Sequence, residues 1–102
     1  QEPRLARLCT QLLQQPSQNI SVDAMAAQAG MSRRTFTRLF RAQTGLGFAQ
    51  WRQQACLLAA ITRLAGGQAV TRIALDLGYA SPSAFTAAFR RVLGQAPSGY
   101  LD

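Results

Sequence analysis

Arg34, Thr37, Arg38 and Arg41 recur at i, i+3, i+4 and i+7 within the stretch GMSRRTFTRLFRAQTG, residues 30–45. On a helix that spacing gathers all four on one face. Three guanidiniums, each a planar fork of donors, and one hydroxyl then project together. Such a set suits oxyanions and the acceptor edge of guanine rather than acid–base or nucleophilic work. Arg33 and Arg34 also fall in the expected first turn, where the helix dipole disfavours cations by ~0.3–1 kcal/mol each at exposed sites. That local cost suggests a use beyond folding, although a basic face taken alone also suits a plain solvated surface.

The remaining residues offer little enzyme chemistry. There is no histidine and no lysine, and the four acids, Glu2, Asp23, Asp76 and Asp102, are scattered. No glycine-rich phosphate loop is present, so neither catalysis nor a cofactor is expected. Cys9 and Cys56 fall on apolar helical positions; without histidine they can build neither a zinc cluster nor a Cys–His pair, and they read as buried free thiols. Eleven arginines against four acids leave a net charge of +7. That balance points to a polyanionic partner, either nucleic acid or an anionic membrane surface. No apolar run approaches 18 residues and no signal segment opens the chain, so a cytoplasmic location is expected. The 102 residues, 48% hydrophobic, suit one small packed domain. Beginning at Gln1 rather than methionine, the chain is expected to be a piece of a longer protein.

The elements that must position the arginine face are legible from periodicity. Ser32 is placed to cap the helix, Met31 to staple onto Phe36, and Phe36, Leu39 and Phe40 form the apolar stripe behind the arginines. Upstream, Leu5, Leu8, Cys9, Leu12 and Leu13 predict a helix from Pro3 to Gln15, stopped by Pro16. Ser21 caps a short helix with Val22, Met25, Ala26 and Ala29 inward, and Ile20 and Met25 form a second staple. Gly30 then allows a sharp turn into the arginine helix. Downstream, Phe48, Trp51, Ala55, Leu58, Ile61, Leu64 and Ala65 predict one side of a helix over Phe48–Ala65, ~27 Å long at 1.5 Å per residue. Trp51 at this spacing reads as core rather than as a plate for stacking bases.

The second half repeats the first. Val70, Ile73, Ala74, Leu77 and Gly78 reproduce the spacing of Val22, Met25, Ala26, Ala29 and Gly30. With one extra residue in the turn, Ser81, Phe85, Phe89, Arg90, Gly94 and Tyr100 then match Ser32, Phe36, Phe40, Arg41, Gly45 and Trp51. Ser81-Pro82 is a strong helix start, with Phe85, Ala88, Phe89, Val92 and Leu93 inward, and Pro97–Tyr100 reads as a last short turn. The expected fold is all-α with about seven helices. A first helix-turn-helix subdomain spans residues 1–47, a linker helix 48–66, and a second subdomain 67–102.

The segment IALDLGYASPSAFTAAFRRVLGQAPSGY, residues 73–100, closely resembles the signature segment of AraC/XylS-type transcription regulators. The first unit resembles their more variable first helix-turn-helix, and the resemblance covers about residues 5–101. It implies a bipartite DNA-binding domain, the C-terminal half of a bacterial activator or repressor. Effector sensing and dimerisation would then belong to a missing N-terminal half. RNA polymerase is a further partner to expect, and the nucleoid the place. By position, the resemblance makes Arg34, Thr37 and Arg38 base-facing in the first recognition helix, and Pro82, Ser83, Thr86 and Ala87 in the second. The chain departs from the family at Ala87, where a long polar side chain is common, and at Leu101, where arginine is common. Weaker base reading by the second helix is therefore expected.

Double-stranded DNA is thus the leading partner, with Arg33, Arg41, Arg52, Arg90 and Arg91 expected at backbone phosphates. A basic helical module for an acidic protein is the alternative. A lipid-surface helix ranks last, since every apolar stripe has another stripe available to bury it.

Overall fold

The protein, in a computed structural model that describes residues 2–101, is all-helical over those residues. Its helices are α1 (Pro3–Gln14), α2 (Val22–Gln28), α3 (Arg33–Thr44), α4 (Phe48–Ala65), α5 (Val70–Asp76) and α6 (Pro82–Leu93), followed by a 3-10 turn at Pro97–Gly99. The serine caps form as expected. Ser21, Ser32 and Ser81 each accept, through the side-chain hydroxyl, the backbone N–H three residues on, at 3.0, 3.1 and 3.0 Å. At the start of α5 the repeat departs from itself, because Ala69 stands where the first unit has Ser21 and no side chain caps that helix.

The duplication extends to the hydrogen bonds of the two sharp turns. Gly30 and Gly78 have φ of +69° and +82°, a region open to glycine at little cost. In the first turn Met31 N–H donates to the Ala26 carbonyl at 2.9 Å and Gly30 N–H to Ala27 at 3.0 Å. In the second, Tyr79 donates to Ala74 at 3.0 Å and Gly78 to Leu75 at 3.1 Å. Both turns are Schellman motifs, which satisfy the carbonyls left open at a helix end and redirect the chain.

Two distinct cores result. In the first, Leu5, Leu8 and Leu12 of α1 pack with Met25 and Ala26 of α2, Phe36 and Phe40 of α3, and Phe48 at the start of α4. In the second, Cys56, Leu57 and Ala60 of α4 pack with Ile73 and Ala74 of α5 and with Phe85 and Phe89 of α6. The long helix α4 serves both, but with different faces. At 100° per residue, its first-core residues Phe48 and Trp51 and its second-core residues Cys56, Leu57, Ala60, Ile61 and Leu64 centre on directions roughly 180° apart. The single apolar side expected from the sequence is thereby corrected: Leu58 is 62% exposed, whereas Leu57 and Ala60 are buried. Leu13 and Val92, also expected inward, are 54% and 43% exposed. Both stand in the final turn of their helices, where the apolar stripe outruns the core that covers it. Trp51 packs edge-on to Phe40, with centroids 5.8 Å apart, in the core position expected of it.

Candidate nucleic-acid interface

Helix α3 presents its polar face because its other face is anchored. Phe36 and Phe40 are essentially fully buried, and the helix has no freedom to roll without exposing them. Arg34, Thr37, Arg38 and Arg41 are consequently all solvent-exposed on the outer side. Helix α6 is held in the same way by Phe85 and Phe89, both 0% exposed. Its outer side forms a shallow concavity lined by Pro82, Ser83, Thr86, Ala87, Arg90 and Arg91. All are exposed except the half-buried Thr86. The structure therefore brings the expected base-facing residues of each unit onto one outward face per helix.

The ion pairs sort the arginines into two groups. Glu2 pairs with Arg4 at 2.9 Å, Asp23 with Arg33 at 3.6 Å, and Asp76 with both Arg63 and Arg72. The hydrogen bond from Arg4 holds the Glu2 carboxyl down at about 2, and the one from Arg63 holds Asp76 below the usual carboxylate range. Among the described residues, the acids are thus committed to Arg4, Arg33, Arg63 and Arg72. Arg34, Arg38, Arg41, Arg90 and Arg91 make no ion pair there and leave both outer faces with uncompensated positive charge. Arg33, expected at a phosphate, is drawn by Asp23 through a pair in which both side chains are about two-thirds exposed, a contact of little strength. Arg41 folds back over the α3–α4 turn, its Nη2 3.1 Å from where a Cβ on Gly47 would lie.

Arg52 departs from expectation. It was expected at a phosphate, but its Nη1 donates to the Ile20 carbonyl at 2.7 Å and its guanidinium lies 5.7 Å from the Phe48 ring centre. Its Nε is buried without a partner. The side chain braces the α1–α2 loop against α4 instead of standing free in solvent. Arg4 was not singled out from the sequence at all, yet its Nη1 donates to the Ala29 carbonyl at 2.9 Å and secures the end of α2 just before the turn into α3. Neither partner is a neighbour in sequence, and nothing in the local pattern announces them.

Neither cysteine is exposed. Cys56 is fully buried and its thiol is pushed up to about 11 by burial; Cys9 is half-buried and is raised for the same reason. Among the described residues no three His, Cys, Asp or Glu side chains lie close enough to hold a metal ion. No helix there is long and apolar enough to cross a membrane.

Residues 25–102 match the helix-turn-helix domain family. The chain is 35% identical over 99 residues to the HTH-type transcriptional regulator NimR of Escherichia coli K12, an alignment covering 97% of this chain and 36% of that protein. It is 34% identical over 84 residues to the regulatory protein SoxS of Salmonella typhimurium, covering 81% of this chain and 78% of SoxS. Against some of its relatives the chain thus spans only about a third of their length. Among solved structures, the DNA-binding domain of the global transcriptional factor AdpA, in complex with a target DNA, superposes with a TM-score of 0.85 at 36% identity, covering 95% of this chain and 88% of that one. An AraC-type regulator from Chromobacterium violaceum shares the fold with a TM-score of 0.83 at 24% identity, covering 96% of this chain and 88% of that one. With two capped, outward-facing helices on a duplicated helix-turn-helix frame, and relatives that match across nearly all of it, the chain belongs to the AraC-type family of helix-turn-helix transcription regulators, as a DNA-binding domain and not an enzyme.

Proposed function

We propose that the chain binds double-stranded DNA sequence-specifically, with α3 and α6 entering successive major grooves and α3 as the main base reader. The observation that carries this is the outer face of α3, where Arg34, Arg38 and Arg41 stand exposed with no carboxylate partner among the described residues. A long axis of 41 Å leaves room for two recognition helices ~34 Å apart, one duplex turn. In this reading Arg34 and Arg38 offer donor forks to guanine O6 and N7, and Thr37 touches a thymine methyl or a phosphate. Arg33, Arg41, Arg90 and Arg91 neutralise backbone phosphates. On α6, Pro82, Ser83, Thr86 and Ala87 supply little beyond van der Waals contact, so that helix mainly docks and its half of the site is read through DNA deformability.

Residues 1–47 and 67–102 act as two reading units on one chain, joined by the linker helix. Two unlike helices impose no dyad on the DNA, so the chain binds as a monomer to an asymmetric site. In this reading the chain serves a bacterial activator or repressor, cytoplasmic and nucleoid-associated, with RNA polymerase as a partner and with effector binding and dimerisation in an N-terminal half.

Selection from random duplexes tests the reading. The expected motif carries high information in one half and a weak, A/T-rich preference in the other. A motif with equal information in both halves would refute the asymmetry. Enrichment of nothing would favour the acidic-protein alternative.

A further inference from the structure

The loop between α1 and α2 belongs to the first unit, yet it docks on the turn between α5 and α6 in the second. Gln18 N–H donates to the Leu77 carbonyl at 2.8 Å, and Gln18 Nε2 donates to the Tyr79 hydroxyl at 3.1 Å. The Leu77 carbonyl lies at the end of α5, where the helix itself supplies no donor. Within the loop, Asn19 N–H donates to Ser17 Oγ at 3.0 Å, which sets the loop's shape. Arg52 of α4 grips the far end of the loop through the Ile20 carbonyl at 2.7 Å. Four residues are therefore held between the linker helix and the second unit's turn.

The duplication supplies an internal comparison. Gly30 and Gly78 occupy equivalent turns with the same sign of φ. A Cβ built on Gly30 would meet only Arg4 Nη1, at 3.8 Å. One built on Gly78 would lie 2.9 Å from both Asn19 Nδ2 and Ser17 Oγ, closer than real Cβ atoms come. Positive φ explains a glycine in both turns; only at the second would a Cβ also have to displace the Ser17 and Asn19 side chains of the first unit's loop.

A single helix joining two bodies through opposite faces resists their separation better than their relative twist. A contact off the helix axis removes that freedom. We infer that residues 17–20, seated on Leu77, Gly78 and Tyr79, are a latch that fixes α6 relative to α3 and so sets the spacing and phase of the two DNA half-sites. Gln18, Gly78 and Tyr79 are positioning residues, since they act on the spacing through the orientation of α6. The inference rests on the DNA reading above, and its test has an arm that needs no DNA.

Gly78→Asn and Gly30→Asn form a matched pair, because asparagine tolerates positive φ better than other side chains and the backbone cost is shared. Only the first substitution pushes Ser17 and Asn19 away. In the free protein, amide residual dipolar couplings from α3 and α6 should fit one alignment tensor in the wild type and in Gly30→Asn, and two in Gly78→Asn. Gln18→Pro, which removes both the N–H given to Leu77 and the amide given to Tyr79 and stands at the second position of the Ser17–Ile20 turn, where proline fits, should also separate the tensors, so the latch is judged even if Gly78→Asn does not fold. A wild type that needs two tensors, or latch variants that keep one, overturns the inference. On DNA, a library of half-sites at varied separation should give one preferred spacing with the wild type. Two base pairs of added spacing rotate the second half-site by ~70°. Latch variants should lose that spacing preference while keeping the sequence of each half-site. An unchanged spacing preference counts against the latch. A wild type that selects no sequence overturns the DNA reading, and the couplings then decide the latch alone.

Discussion

Phe40→Ala tests whether the first core is the body that holds α3 in place. The ring is 2% exposed and meets Phe36 and Phe48 at centroid distances of 5.5 Å each and Trp51 at 5.8 Å. Its counterpart Phe89 is 0% exposed, with Phe85 at 5.7 Å and Tyr100 at 5.2 Å. Removing a buried phenyl ring costs ~3–5 kcal/mol, because the lost burial adds to the cavity left behind. Each aromatic pair adds ~0.5–1.5 kcal/mol beyond area, so the third ring around Phe40 should put Phe40→Ala above Phe89→Ala by about that amount. A small domain has only ~5–15 kcal/mol in total. At ~2.1 cal/mol/K of unfolding entropy per residue over the 102 residues, a loss of 3–5 kcal/mol lowers Tm by ~15–25 °C. Differential scanning calorimetry reads this directly. Cooperative melting of both variants within a few degrees of the wild type would show that the rings do not plug the cores. A larger loss for Phe89→Ala would refute the argument from aromatic partners.

Arg38→Ala should weaken binding by ~1–3 kcal/mol and relax one position of the selected site, while Ala87→Arg should sharpen the weak half; an unchanged motif in a binding titration removes Arg38 from the reading face. Arg90→Ala should reduce the log–log salt slope of binding by ~0.9, whereas Arg52→Ala should leave the slope alone and cost ~1–3 kcal/mol of stability through the lost bond to Ile20. The reverse pattern would return Arg52 to the phosphate backbone. Asp76, held below its ordinary value of 3.8 chiefly by the hydrogen bond from Arg63 and further by Arg72, contributes stability that is present above that value and is lost as pH falls through the depressed one. The stability advantage of wild type over Asp76→Asn should therefore hold at neutral pH and close below about pH 4 in denaturant melts; a gap that persists in strong acid would contradict the ion pair.

Local signals sufficed for much of the frame. A cap needs only a serine three residues before a free N–H, so Ser21, Ser32 and Ser81 could be read directly from the chain, as could the glycines of the two Schellman turns. The paired phenylalanines four residues apart marked the inward sides of α3 and α6, and with them the outward arginines, because helical period ties one face to the other. The duplication and the arginine excess were likewise present in composition and spacing alone. Tertiary structure decided what period leaves open. Periodicity says which residues share a face but not what covers it, so α4, apolar over much of its circumference, could not reveal that its two halves are buried on opposite sides and that Leu58 is left in solvent. An arginine's reach is equally silent about its partner: Arg52 bonds to Ile20 and Gln18 to Leu77 and Tyr79 across long stretches of chain. Those contacts exist only once the elements that carry donor and acceptor are folded and docked, and no local preference of either segment encodes the meeting.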